Sequence, residues 1–179
     1  MVSDAELYEL AMRVGHKLRA AARHIVTAES CTGGWVSKAL TDVPGSSQWY
    51  DCGFVTYSNA AKVRDLGVSA GTLASFGAVS EQTAREMAEG ALRVSHANVA
   101  LAVTGIAGPD GAVPGKPIGT VWFCAAARDD TAIDIIAEEQ FFEGDRAEVR
   151  SRSVEHALRL ILRLDLPVRA EHPPRTQPA

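Results

Sequence analysis

A serine followed closely by two glycines is the feature of this chain with the most chemical potential. Ser30 lies in residues 27–34 (TAESCTGG), between a short apolar segment and a segment with a helical pattern. A turn from strand to helix exposes one side chain at the sheet edge and points backbone N–H groups at the space in front of it. Glycines let an anion approach those groups closely. The run therefore predicts a nucleophile beside an anion site, although the same residue types also form ordinary helix caps.

A serine hydroxyl needs a base that takes its proton, and Lys62 is the strongest candidate. It lies in residues 57–62 (YSNAAK), where a predicted strand ends and a helix begins. Lysine acts as a base when burial keeps it neutral near pH 7. The ordinary alternative for a lone lysine is a charged side chain in solvent.

A second glycine-rich turn follows the most apolar run of the chain. Residues 98–104 (NVALAVT) are typical of a strand that is covered on both faces, and residues 105–111 contain three glycines. Ligands of α/β proteins bind outside the carboxyl ends of the strands. We therefore expect the two glycine turns to face one crevice, which favours a ligand site over ordinary caps.

Periodicity and capping residues predict an α/β fold. Helices are expected at residues 3–23, 35–42, 59–66, after Ser80, and from 144 to about 166, and the glycine-rich residues 67–79 are expected to form a loop. Strands are expected at 24–28, 49–57, 98–104, 118–128 and 131–142, with a bulge at Gly53 and an antiparallel hairpin at 129–130. This order predicts a three-layer α/β/α sandwich with a mixed, mostly parallel five-stranded sheet.

Composition narrows the class of protein further. The 179 residues predict a single domain at 1–166 and a disordered, proline-rich tail at 167–179. The net charge of −4 argues against a nucleic-acid binder. No apolar run reaches the ~20 residues that span a bilayer, and no secretory signal is visible, so a cytoplasmic protein without membrane contact is expected. Three cysteines and five histidines show no metal-ligand spacing, so no metal site is expected.

Five motifs in register resemble the CinA C-terminal domain family, the nicotinamide-nucleotide amidohydrolases. They are residues 27–34, 57–62, 77–80 (GAVS), 104–109 (TGIAGP) and 119–121 (GTV), and the resemblance runs from about 7 to 164. It implies a mixed five-stranded domain that hydrolyses the carboxamide of nicotinamide mononucleotide to nicotinic acid mononucleotide and ammonia. No cofactor is implied.

The resemblance also implies roles for particular residues. Ser30 is the expected nucleophile, Lys62 its base, and Tyr57 a neighbour that orients or relays the proton. Which glycine turn binds the phosphate and which forms the oxyanion hole stays open, and a helix-start ion pair explains Arg146 nearly as well as a phosphate contact. The expected binding residues are Thr32, Gly33, Gly34, Thr104, Gly105, Ala107, Gly108 and Arg146.

The chain differs from the two-domain CinA proteins because it lacks their N-terminal domain, so a stand-alone amidohydrolase is expected. Its partners are expected to be a small nucleotide substrate and further copies of itself in a homo-oligomer. Three alternatives remain open. The first is a non-catalytic nucleotide-binding module in competence or DNA-damage responses. The second is a cysteine amidase that uses Cys31, and the third is an interaction domain without activity.

Overall fold

A mixed five-stranded sheet forms the centre of the protein. The structure is a computed structural model, and it describes residues 1–129 and 133–167. The strand order is β2-β1-β3-β4-β5; β1 is parallel to β2 and β3, whereas β4 is antiparallel to β3 and β5. β5 therefore runs in the same direction as the first three strands, which confirms the mostly parallel sheet. The strands are β1 Ile25–Glu29, β2 Tyr50–Val55, β3 Val99–Gly105, β4 Thr120–Arg128 and β5 Ile133–Phe141.

Helices cover both faces of the sheet, which confirms the three-layer sandwich. α1, α2 and α6 pack on one face and share one apolar cluster; α3, α4 and α5 pack on the other and share a second cluster. A short 3₁₀ turn, Ser46–Gln48, precedes β2. The helices are α1 Asp4–Ala20, α2 Trp35–Thr41, α3 Asn59–Leu66, α4 Ala70–Phe76, α5 Glu81–Val94 and α6 Arg146–Arg163.

The burial of β1 and β3 explains their place in the sheet. Every residue of β1 is buried, and so is the run Val99 to Thr104 of β3. Strands that are covered on both faces carry apolar side chains without alternation. Because β1 and β3 are parallel neighbours, their carboxyl ends lie side by side. The turns after these two strands are therefore brought together, as the sequence predicts.

The glycine-rich segment 67–79 is not wholly a loop, so that prediction is wrong. It contains α4, whose N-cap Ser69 accepts hydrogen bonds from the N–H groups of Gly71 and Thr72. The helix ends at Gly77, which has a positive φ of 76°. A serine cap and a terminal glycine are sequence signals of a short helix, and the many small residues between them concealed the pattern.

Three further expectations concern strand details. The irregularity in β2 lies at Asp51, because Ile25 pairs with Tyr50 and Val26 with Cys52, so the bulge predicted at Gly53 is misplaced. The antiparallel pairing of β4 and β5 is confirmed. Residue 130 of the predicted hairpin turn, residues 131 and 132 of the predicted strand 131–142, and residues 168–179 of the predicted tail lie outside the described residues.

Close packing of α5 against the end of α3 gives a stability prediction. A Cβ atom at Gly90 would collide with the backbone oxygen of Leu66. We expect Gly90→Ala to lower the free energy of unfolding by roughly 1–3 kcal/mol, since neither backbone segment can yield easily. Urea unfolding measures the difference.

Gly71→Ala is the matched control for Gly90→Ala. Its Cβ would have the Ser69 Oγ atom as a neighbour at 3.4 Å, an ordinary contact. The alanine should be neutral or add up to about 1 kcal/mol, because it restricts the unfolded chain. Equal stability of the two variants would show that α5 does not need this close approach.

Candidate active site

Ser30 stands at the end of β1, where the chain turns into α2. Its N–H donates to the Val103 carbonyl at 2.9 Å, which ties the turn to the neighbouring strand β3. The residue is only 8% exposed. Its Oγ atom lies 3.0 Å from the Nζ atom of Lys62, within hydrogen-bond distance. The structure therefore places the predicted nucleophile and the predicted base in direct contact.

Lys62 is held in place by the helix that carries it. Ser58 caps α3 by accepting from the N–H of Ala61, and this start directs Lys62 inward, where it is 1% exposed. Nζ also donates to the Thr56 carbonyl at 2.7 Å. Burial excludes the alternative of a solvated surface lysine.

The electrostatic surroundings favour the neutral form of Lys62. Removal from water disfavours its ammonium form and lowers its pKa to about 8, although the nearby Cys31 thiol acts in the opposite direction. Within residues 1–129 and 133–167, no carboxylate forms an ion pair with Lys62. A lysine with this pKa can accept a proton near neutral pH.

A cavity of about 220 Å³ opens in front of the Ser30–Lys62 pair. The first glycine turn contributes only Ser30 and Cys31, whereas nearly all of the second turn lines the cavity. Tyr57 and Arg146 line it as well. The lining residues are Ser30, Cys31, Tyr57, Lys62, Ala78, Val79, Thr104, Gly105, Ile106, Ala107, Gly108, Asp110, Gly111 and Arg146.

Arg146 bridges two walls of this cavity. It is the first residue of α6, and its guanidinium donates to the Gly108 carbonyl at 2.7 Å and to the Tyr57 hydroxyl at 2.9 Å. The helix start itself is capped by Asp145, whose side chain accepts from the N–H groups of Ala147 and Glu148. Arg146 thus belongs to the cavity, and an ion pair at the helix start does not explain it.

The second glycine turn is fixed by bonds to its neighbours. The Thr104 hydroxyl donates to the Ala78 carbonyl at 2.8 Å and so joins the end of β3 to the segment before α5. The N–H of Ile106 donates to the Thr120 carbonyl at 2.9 Å. Thr104, Gly105, Ala107 and Gly108 all line the cavity, as the sequence predicts for a binding turn.

The N–H groups of Gly33 and Gly34 already have hydrogen-bond partners next to the turn. The N–H of Gly33 donates to the Ser30 carbonyl at 3.0 Å, and that of Gly34 donates to Glu29 Oε2 at 2.9 Å. Their φ values of 63° and 92° show that the glycines are needed for the left-handed turn. Neither residue lines the cavity, and neither does Thr32, which is fully buried. Ligand binding by these two amides stays a prediction, and the bonds that they already make weigh against it.

Two charged residues next to the turn were not predicted from the sequence. Glu29 is fully buried directly before Ser30, and its carboxylate accepts from amides of α2. Arg150 donates to the carbonyl groups of Cys31 and Thr32. A glutamate inside a buried strand is one signal for such a role, and the four-residue spacing of Arg150 from Arg146 along a helix is another.

Cys31 lines the cavity beside Ser30 but has an unreactive thiol. It is 5% exposed, and burial raises its pKa to about 12. The thiolate is the nucleophilic form of cysteine. At neutral pH very little of it is present, which weakens the alternative of a cysteine amidase.

Two classes of site are not seen in the part of the chain that the structure describes. No cluster of three or more His, Cys, Asp or Glu side chains that could hold a metal ion occurs there. None of the helices described is long and apolar enough to cross a membrane.

Known proteins resemble this chain over most of its length. Residues 7–164 match the family described as CinA C-terminal domain. The nicotinamide-nucleotide amidohydrolase PncC of Escherichia coli K12 is 48% identical over 161 residues, 89% of this chain and 95% of that protein. The PncC protein of Pseudomonas putida is 47% identical over 155 residues, 87% of this chain and 94% of its own length.

A solved structure has a similar fold. The crystal structure of competence/damage inducible protein CihA from Agrobacterium tumefaciens has a TM-score of 0.83 and 45% sequence identity, covering 88% of this chain and 94% of that one. The family match spans the sheet, the helices and both turns of the cavity. The chain therefore belongs to the CinA C-terminal domain family.

Proposed function

We propose that this protein is a nicotinamide-nucleotide amidohydrolase, which converts nicotinamide mononucleotide and water to nicotinic acid mononucleotide and ammonia. The observation that carries the proposal is the buried contact of 3.0 Å between Ser30 Oγ and Lys62 Nζ at the cavity. A nucleophile next to a base of lowered pKa is the arrangement that acyl transfer requires. The names of the PncC relatives support the substrate class.

The reaction proceeds by two acyl transfers. Neutral Lys62 takes the hydroxyl proton of Ser30, and the oxygen attacks the carboxamide carbon to form a tetrahedral intermediate. The C–N bond breaks while the Lys62 ammonium gives its proton to the departing nitrogen, so ammonia leaves and an ester remains on Ser30. Lys62 then takes a proton from water, and the water oxygen attacks the ester carbon. As the bond to Ser30 breaks, the Lys62 ammonium returns the proton to the serine oxygen, which releases the carboxylic acid and restores the free serine and the neutral lysine. No cofactor enters the balance.

Backbone amides of the two turns stabilise the oxyanion. The residue after a nucleophilic serine in a strand-to-helix turn commonly supplies one N–H, which here is that of Cys31. Ala107 and Gly108 supply the amides on the opposite wall, since the N–H of Ile106 between them and β3 is bonded to Thr120. Donors that point at the developing charge contribute several kcal/mol to acyl transfer.

Arg146 and Tyr57 bind the nucleotide at the rim. A guanidinium carries five N–H donors, and those that do not contact Gly108 and Tyr57 remain for a phosphate. Tyr57 is 59% exposed, so its ring offers a face to the ligand. We assign it the orienting role, and a proton relay through its hydroxyl stays a prediction.

Product analysis tests the proposal. The purified protein is incubated with nicotinamide mononucleotide, and ammonia and the pyridine products are quantified. We expect ammonia and nicotinic acid mononucleotide in equal amounts. Tight binding of the nucleotide without turnover would favour the non-catalytic nucleotide-binding module, and release of free nicotinamide would mean cleavage of the glycosidic bond.

Substitution of Cys31 separates the serine mechanism from the cysteine alternative. We expect Cys31→Ala to keep kcat within about threefold of the parent, because a thiol with a pKa of about 12 contributes no nucleophile. Stability should fall by about 1 kcal/mol for the lost packing. A loss of turnover by several orders of magnitude, with Ser30→Ala active, would move the nucleophile to the cysteine.

The cytoplasmic location, the homo-oligomer and the boundary of the domain at residue 166 stay predictions. Size-exclusion chromatography with light scattering measures the oligomeric state directly.

A further inference from the structure

The Ser30 turn is held from the α2 side by the carboxylate of Glu29. Oε2 accepts from the N–H groups of Gly34 and Val36 at 2.9 and 3.1 Å, and Oε1 accepts from the N–H and the hydroxyl of Ser37 at 2.8 and 2.6 Å. Gly34 is the N-cap of α2 and has no side chain for this purpose. Glu29 thus satisfies the N–H groups of the second and third residues of α2, and the positive end of the helix compensates its buried charge.

The same turn is held from the α6 side by the guanidinium of Arg150. Nε donates to the Cys31 carbonyl at 3.1 Å, and a terminal nitrogen donates to the Thr32 carbonyl at 2.9 Å. The guanidinium carbon also lies 5.5 Å from the centre of the Trp35 ring. This two-point contact uses the rigid fork of arginine, which a lysine cannot reproduce.

Together the two side chains fix the orientation of the peptide groups after Ser30. Because a peptide is planar, a Cys31 carbonyl that points at Arg150 turns the N–H of Thr32 to the opposite side. The Thr32 carbonyl likewise turns the N–H of Gly33 toward the Ser30 carbonyl, to which it donates at 3.0 Å. The N–H of Gly34 in turn donates to the Glu29 carboxylate. These bonds together favour a single orientation of the peptide groups in the turn.

We propose that Glu29 and Arg150 are a pair of positioning residues, a turn clamp, that aims Ser30 Oγ at Lys62 Nζ for the reaction; this inference rests on the proposed function. Neither side chain lines the cavity, so neither contacts the nucleotide. The clamp acts through the backbone of the turn. Its loss should therefore lower kcat and leave KM almost unchanged, because nucleotide binding depends on other groups.

Substitutions that nearly keep the size of each side chain test the clamp: Arg150→Lys keeps the charge, and Glu29→Gln keeps the shape but removes the charge. Arg150→Lys keeps the cation but loses one of the two contacts, and we expect kcat to fall about 10- to 100-fold, since a displacement of about 1 Å costs up to 10²-fold. Glu29→Gln places an NH₂ group against N–H donors of α2 and should have an effect of the same size. KM should stay within about threefold in both.

The control and the rescue distinguish positioning from a general loss of structure. Arg159→Lys changes an exposed arginine of the same helix that pairs with Glu155, and it should leave kcat unchanged. Arg150→Ala should regain activity at least about fivefold when guanidinium chloride is added below denaturing concentration, because the free cation can fill the vacated fork. Thermal unfolding tests whether each variant is folded at the assay temperature. If Arg150→Ala is not folded, the kcat and KM of Glu29→Gln test the clamp instead.

A second readout does not depend on the natural reaction. A fluorophosphonate reagent labels an activated serine, and the labelling rate of Ser30, located by peptide mass, should fall about 10-fold or more in Arg150→Lys and Glu29→Gln but not in Arg159→Lys. Retained kcat and labelling in both clamp variants, or a raised KM with unchanged kcat, would overturn the inference. A parent protein that labels at Ser30 but releases no ammonia would instead overturn the proposed function, and the labelling rates would then decide the clamp alone.

Discussion

Ser30→Ala is expected to lose deamidation of nicotinamide mononucleotide by a factor on the order of 10³ to 10⁶. The substitution removes the attacking oxygen, and neither Lys62 nor the turn amides can replace it. The bonds that shape the turn come from the backbone of residue 30, whose N–H contacts Val103 and whose carbonyl contacts Gly33, so they survive. The Kd of the nucleotide, measured by calorimetry, should therefore change less than about threefold.

Ser47→Ala is the matched control for Ser30→Ala. Ser47 is exposed and lies outside the cavity, so kcat should stay unchanged. If Ser30→Ala keeps near-normal turnover, the acyl-enzyme mechanism is wrong whatever the outcome for other residues.

Lys62→Arg should be nearly as damaging as the loss of the nucleophile, by about 10³-fold in kcat. General-base catalysis contributes roughly 10² to 10⁴ to a rate, and a guanidinium does not release its proton in the working range. The substitution keeps the positive charge, so it shows whether Lys62 acts as a base or only as a cation. Lys38→Arg, at a lysine whose side chain is 62% exposed, is the control and should be silent.

The pH dependence follows from the pKa of Lys62, which burial lowers to about 8. The neutral amine is the active form, so kcat/KM should rise with pH through about 8 and level off above it. Lowering the pKa from 10.5 raises the neutral fraction at pH 7 from about 1 in 3,000 to about 1 in 10. A profile that falls as pH rises through this region would mean that the ammonium form is required. Lys62 would then act as a cation for an anionic group of the substrate and not as the base.

The sequence contains enough information for the core of the site because two local patterns are unambiguous. The apolar runs of β1 and β3 predict buried, neighbouring strands, and each is followed by a glycine turn. Ser58 marks the start of α3 and so fixes the place of Lys62. The approach of Ser30 to Lys62 then follows from the order of parallel strands.

The parts of the site that the sequence did not predict depend on contacts between residues that are distant in the chain. Gly33 and Gly34 have the composition of an anion cradle, but Glu29 occupies the amides of α2 that a ligand would need. Arg150 reaches the turn from a helix 118 residues away in the chain, as measured from Thr32. Such long-range partners decide which backbone groups remain free, and local pattern does not reveal them.

Partitioning of the reaction between water and hydroxylamine tests the acyl-enzyme at Ser30 most directly. An ester on Ser30 can be attacked by either nucleophile after ammonia has left. We expect the hydroxamate of nicotinic acid mononucleotide to form in proportion to the hydroxylamine added, at the expense of the acid, and Ser30→Ala to form neither. If the acid is the sole product at every hydroxylamine concentration while ammonia is released at the normal rate, water attacks the amide directly and Ser30 is not the nucleophile.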